Sequence, residues 1–169
     1  DGIVAALNDP EIRAAMLEPA LPVALAIYEW SGEHEQTLVA DWRLIRSEAD
    51  ADALAAQVAA HTRRLAGLTA VGAALAYGHR LLARAPPCLW RTLDISGDGY
   101  NNVGPPPARV YARLDFGAIT VNGLAIGGHE SRILRWYMAE VARGPAAFVE
   151  FAPTHRDFAQ VFRRKLWRE

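Results

Sequence analysis

The sequence predicts an α/β protein with a mostly parallel sheet and helices on both faces. Short apolar runs alternate with segments of helical periodicity along most of the chain. One pair of runs, Leu21–Trp30 and Thr37–Trp42, is joined by the polar turn Gly32-Glu33-His34-Glu35, which predicts an antiparallel hairpin at a sheet edge. A third run from Cys88 ends abruptly in Ser96-Gly97-Asp98-Gly99-Tyr100-Asn101-Asn102, as a buried strand ends at a polar rim. In open α/β sheets, ligands bind just beyond such carboxyl ends.

The elements follow in order. Ile3, Leu7, Ile12 and Met16 recur at helical spacing, and Asn8-Asp9-Pro10 divides them into two short helices. Leu21–Trp30, nearly all apolar, reads as a fully buried strand. Ser47 with Asp50 forms a capping signal, and Leu54, Val58 and Leu65 carry the apolar face of the helix it opens. Gly67-Leu68 breaks that helix, and a second runs from Thr69 through Leu75 and Leu82 to Pro86-Pro87. Cys88–Ser96 is the next strand, with Cys88 buried. Pro105-Pro106-Pro107 lead into a helix over Ala108–Leu114, where proline suits the first turn. Ile119–Ile126 is a strand. Ile133, Trp136, Tyr137 and Val141 mark a helix stopped at Gly144-Pro145. Ala147–Phe151 is the last strand, and Phe158, Val161, Phe162 and Leu166 mark the last helix. In its basic segment, Arg163–Arg168, Leu166 packs inward and the charges face solvent.

The 169 residues suggest one domain, long enough to bury roughly 70% of the unfolded chain's surface. With a net charge of -1 and a pI near 6.6, nothing drives the chain toward nucleic acid or an anionic membrane. No uncharged run reaches the ~18 residues of a membrane span. Cys88, the single cysteine, excludes an internal disulfide.

Several chemistries lack their residues. Gly97-Asp98-Gly99 is not continued into a dinucleotide fingerprint, and Asp98 would repel a phosphate. No phosphate-binding loop or nucleophile elbow is present. The histidines His34, His61, His79, His129 and His155 are scattered, without zinc-helix spacing. An oxygen-rich rim remains: the Asp98 carboxylate and the Thr69 hydroxyl, with Ser96, Asn101 and Asn102 nearby. Such a set suits a hard cation such as Mg²⁺. The plain alternative is a turn at Asp98-Gly99 and a helix cap at Thr69. Mid-strand Asp94 shares its parity with Ser96 and Asp98, and a structural hydrogen-bonding role is expected for it.

The pattern resembles a von Willebrand factor type A domain, the fold of integrin inserted domains, and more closely a bacterial branch of uncharacterised von Willebrand A-like proteins. Tyr28-Glu29-Trp30-Ser31 is similar to the end of the family's second strand. Gly67-Leu68-Thr69-Ala70-Val71-Gly72-Ala73-Ala74-Leu75 is similar to its G-G-T-x-hydrophobic-x-x-A-L helix start, with Leu68 for the second glycine. Asp94–Asn102, Asn122–Ile126, Gly144–Phe151 and Phe158–Leu166 are similar to the following pieces, in order. The resemblance implies a three-layer α/β/α, Rossmann-like domain over residues 1–169. It also implies a protein-interaction module rather than an enzyme.

The family's metal-ion-dependent adhesion site gathers an Asp-x-Ser-x-Ser segment, a Thr and an Asp around Mg²⁺ or Mn²⁺. A carboxylate from the protein partner often completes it. Thr69 and Asp98 carry over as metal ligands; Ser31, Asp94, Ser96, Asn101 and Asn102 stand around them at the rim. The Asp-x-Ser-x-Ser segment, which ends the family's central first strand, does not carry over. Cation binding by this chain alone is therefore expected to be weak, and the domain is expected to be incomplete at its N-terminus. A sheet without that strand would present two rows of unpaired backbone groups and a slot, each buried unsatisfied group costing roughly 1–3 kcal/mol. Residues before Asp1 in the natural protein are expected to supply it; direct pairing of the flanking strands would refute this. The bacterial branch implies an extracytoplasmic location, periplasmic or secreted. The competing expectations are a metal-assisted hydrolase or nucleotide-binding enzyme using the same rim, and a structural domain with a vestigial site.

Overall fold

The computed structural model describes residues 2–63, 67–127 and 132–169; Leu65 and His129 lie outside them. Two short helices open the chain, α1 (Gly2–Leu7) and α2 (Pro10–Leu17). Asp9 caps α2, its carboxylate accepting the amides of Glu11 at 3.0 Å and Ile12 at 3.2 Å, with Pro10 in the first turn. The expected hairpin follows as β1 (Val23–Trp30) and β2 (Gln36–Ile45), paired antiparallel. Helix α3 (Glu48–Ala60) carries the expected cap: Ser47 Oγ accepts the Asp50 amide, and Asp50 accepts the Arg46 amide. Then come α4 (Val71–Ala83), β3 (Thr92–Gly97), α5 (Pro107–Arg113) and β4 (Thr120–Ile126). Helix α6 (Arg132–Trp136) widens into a π-helical turn, Tyr137–Val141, before β5 (Val149–Ala152) and α7 (Phe158–Arg168).

The strands form two sheets among the described residues, β1-β2 and the parallel β3-β4-β5. Both β1 and β3 send their carboxyl ends to one rim, where Trp30 of β1 comes against Gly97 of β3. Their facing edges are not hydrogen-bonded to each other. On one face, α4, α5 and α6 cover both sheets with a continuous core. Tyr28, Trp30 and Trp42 of the hairpin pack there with Leu93, Ile95, Val121, Ala125, Val71, Leu75 and Tyr137. Helix α4 bridges the sheets directly. Its Ala74 carbonyl accepts the Tyr28 hydroxyl at 2.9 Å, and its Leu81 carbonyl accepts the Trp42 indole at 3.0 Å. On the other face the core is in two pieces. Leu7, Leu25, Ile27, Ile45 and Leu54 form one beneath α1 and α3. Leu124, Ile126, Val161 and Phe158 form the other beneath α7. The division follows the gap between β1 and β3.

Three expectations are corrected. Strand β1 is half-buried at every residue rather than fully buried; among the described residues no strand pairs with its second edge. Strand β3 begins at Thr92, not Cys88; Cys88 is exposed, as are Leu89 (71%) and Trp90 (83%). Pro86 and Pro87 carry no amide hydrogens, and the chain joins the ladder only when the Arg91 carbonyl accepts the Thr120 amide at 3.0 Å. On α7 the fully buried residue of the basic segment is Lys165, while Leu166 is half-buried. No described helix is long and apolar enough to cross a membrane.

Candidate functional site

Three segments meet at the rim: the end of β1, the start of α4, and the loop after β3. Ser31 joins the first two. Its carbonyl accepts the Ala70 amide at 2.8 Å, and its hydroxyl donates to the Leu68 carbonyl at 2.9 Å. Asn102 joins the second and third. Its amide donates to the Thr69 carbonyl, and its Oδ1 accepts the Thr69 amide, both at 2.8 Å. Asn101 Oδ1 accepts the Gly72 amide at 3.0 Å, satisfying one of the first amides of α4. This clamp sets Thr69 against Gly99: an added Cβ there would lie 2.8 Å from Thr69 Oγ1. Thr69 is thereby brought against the residue that follows Asp98 in the chain.

The carboxylate of Asp98 is 62% exposed and meets His155 Nε2 at 3.1 Å, in the loop before α7. Beneath it, the Tyr137 hydroxyl is buried without a hydrogen-bond partner among the described residues and points at Gly97. Burial, and secondarily the charge of Asp98, push this phenol's pKa well above its ordinary value. The turn Glu33-His34 closes the rim, with Glu33 packed on Gly104, whose φ of +70° favours glycine.

The strand's parity holds. Leu93 and Ile95 face the α4 core, while Asp94 and Asp98 face the side of α7. Asp94 does not join Asp98 at the rim; it pairs with Lys165 of α7. Ser96 lies between them, half-buried. His155 and Lys165 are the participants that spacing did not reveal, because each meets its carboxylate only across the fold.

The donor set suits a hard cation in part. Thr69 and Asp98 each offer an oxygen ligand, Thr69 against Gly99 and Asp98 one residue before it. The oxygens of Asn101 and Asn102 already accept backbone amides, and the Ser31 hydroxyl already donates to a carbonyl. Among the described residues, no three His, Cys, Asp or Glu side chains gather into a metal-holding group. The residues present thus fit a hard cation only through Thr69 and Asp98, and the Asp98 carboxylate also meets His155.

Comparison with known proteins agrees with this architecture. A von Willebrand factor type A protein from Catenulispora acidiphila is similar over 98% of this chain, with a TM-score of 0.67 and 19% identity. The chain spans 37% of that protein's length. An uncharacterized membrane spanning protein from Vibrio fischeri aligns over 86% of this chain and 75% of its own, at 18% identity and a TM-score of 0.33. No curated protein matches. Residues 1–169 match throughout the family described as Protein of unknown function (DUF1194). The chain therefore belongs to that family, and its fold is von Willebrand A-like.

Proposed function

We propose that this chain is a protein-interaction module, not an enzyme, whose rim takes up a divalent cation, Mg²⁺ or Mn²⁺. The observation that carries the reading is the placing of the Thr69 hydroxyl against Gly99, the residue after Asp98. Thr69 and Asp98 would hold the cation from one side, and an acidic group of a protein partner would occupy the outer position. When bound, the cation would supply positive charge at an exposed rim, the attraction a partner carboxylate needs. Asn101, Asn102 and Ser31 position Thr69. Among the described residues the facing edges of β1 and β3 have no strand paired to them, which supports a further strand between them, running to the same rim. In this reading that strand is apolar and ends in Asp-x-Ser-x-Ser, supplying oxygen donors opposite Asp98. By the same resemblance, the location is extracytoplasmic.

Thermal unfolding of the natural chain in Mn²⁺ tests the reading. A ligand that prefers the native state stabilises it, by about 2.7 kcal/mol at one hundred times Kd. The midpoint should rise with Mn²⁺, and Asp98→Ala should abolish the rise. An equal rise in the variant would place the cation elsewhere.

A further inference from the structure

The side chain of Lys165 is completely buried, and its Nζ contacts two carboxylates, those of Asp94 on β3 and Glu169 at the end of α7. These are only 27% and 19% exposed. Asn122 Nδ2 donates to Glu169 Oε1 at 2.9 Å, and Asn122 Oδ1 accepts the Phe148 amide at 3.1 Å, so Glu169 is held in place. The ring of Phe148 closes the site, its centroid 5.6 Å from Nζ. Burial, and then the neighbouring Asp94, push the pKa of the Glu169 carboxyl above its ordinary value, toward the protonated form. The three groups are an amine nucleophile, a carboxyl electrophile and a proton carrier, the amine completely buried and the two carboxyls partly exposed. An ion pair requires only two of them.

We propose that Lys165 and Asp94 form an intramolecular amide, with Glu169 moving the protons. Transfer of one proton within the pair leaves an amine and a carboxylic acid in contact. The Nζ lone pair attacks Asp94 Cγ, forming the new C–N bond. The Glu169 carboxylate takes a proton from that nitrogen and returns one to the departing hydroxyl. The C–O bond then breaks and one water leaves. Nothing is oxidised or reduced, and no cofactor is consumed. Fixed contact replaces a bimolecular encounter, which is how an unactivated acid and amine become reactive partners. The product fastens the C-terminal helix to the middle of β3, on the face that also bears Asp98.

Intact-mass measurement on the denatured full-length natural chain is the test. The wild type should be lighter than its sequence by one water. Trypsin, which cannot cut after an acylated lysine, should release a branched peptide joining residues 92–109 to residues 165–168. Glu169→Gln, which keeps the shape of the site, should restore the full mass, as should Lys165→Arg. Full mass and separate linear peptides in the wild type would overturn the proposal. A cross-link persisting in Glu169→Gln would overturn the role given to that residue.

Discussion

Asp94→Ala is expected to lower the unfolding free energy by about 3–5 kcal/mol, the usual cost of removing one partner from a buried ion pair. Lys165 has no access to water, so without Asp94 its charge rests on Glu169 alone. The carboxyl of Glu169 is itself driven toward its neutral form by burial, so compensation is poor. If the amide forms, its loss adds to the effect. Lys165→Met should be milder, because it removes the least solvated charge and leaves Asp94, 27% exposed, to be solvated. Urea titration of both variants checks the order. A loss below about 1 kcal/mol for Asp94→Ala, the size expected of a solvated pair, would contradict it.

Gly72→Ala is the second large effect. A Cβ on Gly72 would lie 1.9 Å from the Pro105 carbonyl oxygen and 2.9 Å from its carbon. Both belong to backbone, so no side chain can swing aside. Overpacking of this kind costs about 3 kcal/mol. It also bears on the site, because the contact seats the loop from Gly97 to Pro107 on the start of α4, where Asn101 accepts the Gly72 amide. Displacing that loop should pull Asp98 away from Thr69. Gly72→Ala should therefore lose both stability and the Mn²⁺-induced rise in midpoint. Retention of both would show that the loop does not depend on this contact.

Much of the architecture was legible because local signals agreed. Pro10, Ser47 with Asp50, and Pro107 each mark a helix start by a mechanism that works within a few residues. The hairpin follows from two apolar runs around a short polar turn. What could not be read depended on distant partners. Cys88-Leu89-Trp90 is as apolar as a strand, but three residues after two prolines do not reveal whether a ladder waits for them. Lys165 sits among arginines and was expected in solvent; its burial is offset by Glu169 four residues on and by Asp94, 71 residues away across the fold. Asp98 was recognisable as a rim carboxylate, whereas His155 beside it is 57 residues distant and shares no motif with it. The gap between β1 and β3 was anticipated from the resemblance. Its effect on β1, half-burial of an apolar strand along its whole length, is visible only in three dimensions.

The most direct measurement is calorimetric titration of Mn²⁺ into two chains, residues 1–169 alone and the same residues preceded by an added apolar strand ending in Asp-x-Ser-x-Ser. The prediction is weak binding by the first, binding at least about tenfold tighter by the second (about 1.4 kcal/mol), and loss of binding from the second on Asp98→Ala. Equal affinity in the two chains, or undiminished affinity in the variant, would contradict a cation site built from Thr69, Asp98 and a strand between β1 and β3.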